Sequence, residues 1–233
     1  LSMRALVLTL LAFVSPLIGA DRPSAPAGAG LTDAQIAEVR AICDQRSNDF
    51  FRGQAGKPLV RAAIKKDWNN RGDYTRDYGH SIVLFAMRAL QLNEQLPEAN
   101  AALRELCQYH LDRPQTLLEV HSFPSVTDAL ARMCVFYGPR GSKVAGRLSP
   151  ETYAVVLKTM WEWVRVKSEL TQTEVADGKI WWIEHSENHH AQHFSTCWSF
   201  SKLLKDEPDY RDRKYADGHS SREHYEAWTA FLR

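Results

Sequence analysis

The sequence predicts an all-α protein built from antiparallel helical hairpins. Apolar residues recur three and four positions apart through most of the chain, which is the spacing of one buried face of an α-helix. Short loops rich in proline or polar residues separate these segments, and helices joined by short loops pack as antiparallel neighbours. The only strand-like run is residues 179–183. No repeat of fixed period is visible, which disfavours a solenoid.

Four helices are predicted in the first half of the chain. Thr32 and Gln35 have the spacing of a capping box, in which each residue binds the other's backbone N–H. A second, short helix is expected to run toward Trp68, and we expect Asp77 to act as the N-cap of the third. The four helices are expected to begin at or near Thr32, Pro58, Asp77 and Pro97.

Four further helices are predicted in the second half, each opened by a serine. Ser125 and Ser220 have an acidic residue three positions later, and Ser149 is followed by a proline suited to the first helical turn. These helices are expected to begin near Ser125, Ser149, Ser186 and Ser220.

The N-terminal residues are predicted to be a secretory signal peptide, residues 1–20. A basic start is followed by an apolar run, too short for a membrane span, that ends in small residues. Residues 21–30 are expected to form a flexible linker of proline, alanine and glycine. The helical domain is then 31–233, and we expect a secreted or periplasmic protein without a membrane span after cleavage.

The charge balance excludes a strongly basic nucleic-acid-binding domain. Arg4 is the only charged residue in the predicted signal peptide. Cleavage after residue 20 would therefore leave as many basic residues as the 28 acidic ones. A local basic stretch remains, which would either attract an anionic polymer or form a solvated helix face. It comprises Lys57, Arg61, Lys65, Lys66, Arg71 and Arg76.

Four cysteines are spaced too widely for a zinc ribbon. In an exported protein they could pair in three ways, and at apolar helical positions they could equally be buried free thiols. They are Cys43, Cys107, Cys134 and Cys197.

A histidine-rich window from 183 to 194 is the strongest candidate for a functional site. It holds four of the nine histidines, next to Glu184, Glu187 and Asn188. Neutral imidazole accepts protons near neutral pH, and it is also the commonest metal ligand. The four are His185, His189, His190 and His193.

An N-cap at Ser186 would place Glu187, Asn188 and His189 in the first turn of the seventh helix. The N–H groups there lack helical partners and the helix dipole is positive, so an anionic group is attracted and a histidine stays neutral. An amide beside a neutral imidazole suits proton abstraction next to a carboxylate.

The segment Ser186-Glu187-Asn188-His189-His190, in a secreted all-helical domain, resembles the catalytic Asn-His of helical-toroid polysaccharide lyases. These are the heparinase- and alginate-lyase-like families with an (α/α) barrel. The resemblance implies β-elimination on a uronic-acid-containing polysaccharide. Asn188 would neutralise the uronate carboxylate and His189 would take the C5 proton.

The resemblance also implies a tyrosine that protonates the leaving oxygen, for which Tyr225 and Tyr215 are candidates by proximity in sequence. It implies part of an (α/α) toroid, because eight helices are fewer than a closed ring of six hairpins needs. The chain would then be an incomplete ring or an N-terminal fragment of a longer protein. We expect no cofactor for this chemistry.

Side chains near the window are candidates for substrate binding. Adjacent tryptophans can stack on sugar rings, although burial of both at a helix junction is the alternative. The candidates are Trp181, Trp182, Glu187, His190 and His121.

Three alternatives stay open. His185, His189 and His193 would share one face of a continuous helix and could hold a divalent metal such as zinc or calcium for a metal-dependent hydrolase. A glycoside hydrolase would use two carboxylates. The third alternative is a non-catalytic glycan-binding or scaffold module, or a truncated inactive fragment.

Overall fold

The computed structural model describes residues 31–66, 73–119, 122–171 and 187–232, with only the backbone of 187–190. The predicted signal peptide, the linker and the strand-like run lie outside these residues. The described chain is all-α, with eight α-helices and one two-stranded hairpin. The helices are α1 (Asp33–Arg52), α2 (Arg76–Leu92), α3 (Leu96–Leu111), α4 (Gln115–Leu118), α5 (Thr127–Tyr137), α6 (Pro150–Lys167), α7 (Glu187–Leu204) and α8 (Ser221–Phe231).

The chain divides into two compact units, Leu1–Arg46 and Ser47–Arg233. In the first unit, the described residues are 31–46, and the apolar side chains of Leu31, Val39 and Ile42 are exposed. The second unit contains the other seven helices and the hairpin.

Capping side chains begin three helices as predicted. Thr32 donates its N–H to Gln35 Oε1 over 2.8 Å, and its Oγ1 accepts the Gln35 N–H over 3.3 Å. Ser149 Oγ accepts an N–H from the first turn of α6. Ser220 and Glu223 form a complete capping box before α8. These caps could be predicted from the sequence because each joins groups only three residues apart.

The predicted helix from Pro58 toward Trp68 is wrong. No helix occurs over residues 57–64, and Lys65–Lys66 (β1) pairs in antiparallel fashion with Asp73–Tyr74 (β2). The segment finds hydrogen bonds on α2 instead of within itself. The Ala62 N–H donates to Ser81 Oγ over 3.1 Å, and Arg88 donates to the carbonyl of Lys57 over 2.6 Å.

Two predicted N-caps are also corrected. The residue before α2 is Thr75, and Asp77 lies inside the first turn. Ser125 does not cap α5, because its hydroxyl donates to the carbonyl of Ser122 over 2.7 Å within a 3-10 helix, Phe123–Val126. Helix α5 therefore starts at Thr127.

The core of the second unit lies among α2, α3, α5, α6, α7 and α8. Helix α3 packs on α2 and α6, while α7 packs on α5, α6 and α8. Fully buried large side chains include Leu103, Phe123, Met160, Phe200 and Trp228. Their removal from water supplies the main favourable term in folding.

All four cysteines are free. Cys107, Cys134 and Cys197 are buried in the core, where burial raises the pKa of each thiol, that of Cys107 to about 12. These three therefore behave as small apolar side chains. Cys43 is exposed on α1.

None of the described helices is long and apolar enough to cross a membrane.

His110 on α3 is buried against Tyr109 and Phe123. The Thr116 hydroxyl donates to the carbonyl of Arg113, so its oxygen accepts the Nδ1–H of His110 over 2.7 Å. This hydrogen bond fixes the neutral Nδ1–H tautomer. Burial lowers the pKa of His110 to about 4.

The free energy of unfolding should therefore fall as pH falls. The unfolded chain binds a proton on this histidine below pH of about 6.5, whereas the folded chain resists it until about pH 4. The full contribution of neutral His110 to the free energy of unfolding is present above about pH 6.5. Roughly 3 kcal/mol of it should be lost as the pH falls from about 6.5 to about 4. Urea unfolding between pH 7 and pH 4 measures it. His110→Asn keeps a donor for Thr116 and should make the free energy of unfolding less dependent on pH. The dependence that remains should come from the other buried histidines. An unchanged slope of this free energy against pH would contradict the role given to His110.

Loss of the capping hydroxyl before α8 should destabilise the fold. Ser220→Ala leaves the Glu223 N–H without its acceptor and should cost about 1 kcal/mol, measured by urea unfolding. Ser220→Thr retains the hydroxyl and serves as the control. Equal stability of the alanine and threonine variants would show that the cap is not energetically important.

Candidate functional site

The predicted site is only partly within the described residues. Helix α7 begins at Glu187, so the backbone of Asn188 and His189 forms its first turn, as predicted. The side chains of Glu187, Asn188, His189 and His190 are outside the description. Also outside are Trp181, Trp182, Glu184, His185, Ser186 and His121.

The second and third turns of α7 are attached to the segment Ser122–Thr127, the 122–127 turn. Gln192 donates from Nε2 to the carbonyl of Pro124 over 2.6 Å. One turn later, the hydroxyls of Thr196 and Thr127 are 2.9 Å apart and fully buried. These bonds fix the start of α7 against the start of α5.

The same turn holds the start of α2. His80 Nε2 lies 3.1 Å from the carbonyl oxygen of Ser125, next to the carbonyl that Gln192 binds. A Cβ at Gly79 would lie 2.8 Å from Val126 Cγ1, so glycine permits this close approach. The N-terminal ends of α2, α5 and α7 therefore meet at the 122–127 turn.

The hairpin brings a carboxylate to this end. Ser122 Oγ donates to the carbonyl of Asp73 over 3.1 Å. The Asp73 carboxylate accepts from Lys66 Nζ over 2.5 Å and from the Tyr109 hydroxyl over 2.7 Å. The bond from Lys66, followed by that from Tyr109, holds the pKa of Asp73 below its ordinary value. Burial and then Asp73 raise the pKa of Tyr109 to about 12, so Tyr109 stays protonated.

A second tyrosine–carboxylate pair lies beside the first. The Tyr78 hydroxyl donates to Glu105 Oε1 over 2.7 Å, and Arg61 forms a two-pronged ion pair with the same carboxylate. The Arg61 bond, more than that from Tyr78, lowers the pKa of Glu105. The rings of Tyr78 and Tyr109 are 5.9 Å apart, so the pairs are neighbours.

Cations surround these carboxylates and remain open to solvent. Lys65 Nζ lies 3.2 Å from Asp77 Oδ2, and Arg76 Nε lies 3.5 Å from Asp77 Oδ1. Side-chain exposure is 63% for Lys65, 67% for Lys66, 43% for Arg61 and 37% for Arg76. These four members of the predicted basic stretch face three carboxylates and form a partly neutralised cationic surface that is open to solvent.

The structure does not bring Tyr225 to the first turn of α7. Tyr225 lies on α8 with its ring 6.1 Å from that of Trp198. Trp198 follows His189 by nine residues on α7, a rise of about 14 Å along the helix. Tyr215 is buried and stacked on His224 at 4.0 Å. Described tyrosines at the 122–127 end include Tyr78 and Tyr109.

His193, the last histidine of the proposed metal stripe, lies in the core. Its side chain is buried, 5.6 Å from the ring of Trp163, with Nε2 3.6 Å from Cys197 Sγ. Within the described ranges, no three His, Cys, Asp or Glu side chains form a group that could hold a metal ion.

A Ser-His-Asp arrangement that the sequence did not reveal lies between α6 and α8. His224 Nε2 donates to Asp217 Oδ1 over 3.1 Å, and His224 Nδ1 then accepts from Ser168 Oγ over 2.8 Å. Ser168 Oγ also accepts from Trp228 Nε1 over 2.8 Å. Ser168 is 1% exposed and His224 is fully buried. A substrate cannot reach this hydroxyl, so the arrangement is a sealed structural network.

Comparison with known protein families, curated proteins and solved structures finds no match.

Sequence reasoning missed the tyrosine–carboxylate pairs and underrated His80. The pairs join residues 27 and 36 positions apart, which no local pattern reveals. Tyr78 and His80 lie in α2, at the same end of the fold as the start of α7.

The sealed network should matter for stability. Asp217 accepts the N–H groups of Leu170 and His219 as well as His224. Asp217→Asn would set an amide donor against one of these N–H groups and should cost about 2 kcal/mol in urea unfolding. Asp212→Asn, at a side chain that is 85% exposed, is the matched control and should change stability little. Equal effects of the two variants would show that the Asp217 contacts are dispensable.

Proposed function

We propose that this chain acts on an acidic polysaccharide, cleaving next to uronic acid residues by β-elimination. The observation that carries the proposal is the meeting of the Asn188-His189 turn of α7 with the start of α2 beside an exposed cationic surface. The chain would then be an exported, carbohydrate-active protein.

The charge arrangement favours an anionic substrate. The N–H groups in the first turn of a helix lack intrahelical partners, so the start of α7 attracts negative charge. Arg61, Lys65, Lys66 and Arg76 add exposed cations at the same end of the fold. A uronate polymer carries a carboxylate on each such sugar, so the cations can hold sugars on either side of the reacting one.

The proposed reaction removes a proton from C5, cleaves the C4–O bond and protonates the leaving oxygen. Asn188 donates to the uronate carboxylate, which lowers the energy of the carbanion-like transition state. His189 takes the C5 proton, the electron pair forms the C4=C5 double bond, and the C4–O bond breaks. The leaving oxygen takes a proton from solvent or from a protonated tyrosine. Tyr109 retains its proton at neutral pH.

Elimination should depend on the first turn of α7. The purified chain is incubated with alginate, pectate, hyaluronan and heparan sulfate, and the unsaturated uronate product is followed by its ultraviolet absorbance. Asn188→Ala/His189→Ala should lower kcat/KM at least about 100-fold against the best substrate. His219→Ala, at a half-exposed histidine in the turn before α8, should retain activity.

Two results would overturn this proposal. A wild-type chain that forms no unsaturated product from any of these polymers is not such a lyase, and retained binding in affinity electrophoresis would then indicate a glycan-binding module. Undiminished elimination by the double variant would remove Asn188 and His189 from the chemistry.

A further inference from the structure

His80 is the described histidine at the start of α2, and its imidazole is half-buried there. Its Nε2 lies 3.1 Å from the Ser125 carbonyl oxygen. A carbonyl oxygen can only accept, so Nε2 must carry the hydrogen. In the neutral ring, Nδ1 therefore holds the lone pair.

The surroundings keep this imidazole neutral. Burial is the largest effect and lowers the pKa of His80, and the charge of Arg76 adds to it, while the Ser125 carbonyl and Asp77 oppose it. At neutral pH the ring is thus an oriented, unprotonated base. A hydrogen bond from one ring nitrogen is what orients the other in catalytic histidines.

Cations lie on the same side of α2 as this base. Arg76 precedes His80 by four residues, so the two side chains share a helix face. Arg76 is held over the ring of Tyr74 at 5.0 Å, and Lys65 reaches Asp77 from the hairpin. A substrate carboxylate placed near these cations would bring the neighbouring carbon toward His80.

We propose that His80 is a second proton acceptor of the candidate site, taking the C5 proton of a bound uronate through Nδ1. This inference rests on the proposed function. The electron pair of the C5–H bond forms the C4=C5 double bond, the C4–O bond breaks, and solvent protonates the leaving oxygen. The imidazolium then returns its proton to solvent. His80 and His189 act in parallel, so loss of one leaves partial activity.

The test replaces the base and keeps its hydrogen bond. In His80→Gln the amide N–H can reach the Ser125 carbonyl, but the amide offers no basic nitrogen in place of Nδ1. We expect kcat to fall by about two- to ten-fold, the share of the His80 route, with KM nearly unchanged and an unaltered melting temperature, because His189 still takes the proton by the parallel route. Added imidazole should restore part of the rate, which a purely structural role for His80 would not allow. His219→Gln is the control for loss of an accessible histidine.

The outcomes separate this inference from the function on which it rests. Wild-type kcat in His80→Gln, together with an inactive Asn188→Ala/His189→Ala variant, overturns the role of His80 and leaves the lyase proposal standing. A lowered rate that imidazole does not restore also overturns it, because His80 would then act only by holding the turn. A wild-type chain without elimination activity refutes both proposals.

Discussion

The end of the fold that carries the candidate site depends on the hydrogen bonds of the 122–127 turn. Two successive carbonyls, those of Pro124 and Ser125, accept from Gln192 on α7 and His80 on α2. The Pro124 carbonyl accepts from Thr127 as well as from Gln192, since a carbonyl oxygen has more than one lone pair. Residues more than a hundred positions apart thereby meet at one small turn, and the hairpin joins them through Ser122.

Among the histidines that the structure describes, some are buried in the core and others lie where solvent can reach them. His110 and His224 are sealed, and each makes hydrogen bonds that fix a neutral tautomer within the core. His80 also has a fixed tautomer, but it lies at the edge of a cationic surface. Orientation alone therefore does not indicate a catalytic role. Ser168, His224 and Asp217 are well oriented, yet no reactant can reach the Ser168 hydroxyl or the His224 ring. Access separates a candidate base from a structural one.

Sequence alone supported the all-α class, the starts of α1, α6 and α8 and the start of α7 at Glu187, because caps act over three residues. It failed for the helix predicted from Pro58, where the Ala62 N–H donates to the hydroxyl of Ser81 on α2, nineteen positions away. It also placed Tyr225 near the histidine window on sequence proximity. The packing of α8 on α7 is antiparallel at this contact, which carries Tyr225 toward the far half of α7.

At the end of the fold that carries the candidate site, ionised carboxylates keep two tyrosines protonated. Asp73 and Glu105 are held ionised by Lys66 and Arg61, and each accepts a tyrosine hydroxyl. An ionised acceptor favours the protonated phenol, so Tyr109 can give up its proton only to a strongly basic oxygen. An alkoxide leaving from a sugar is such an oxygen, whereas a carboxylate is not. An end of the fold that joins protonated phenols, a neutral imidazole and exposed cations is therefore suited to removing a proton beside a carboxylate.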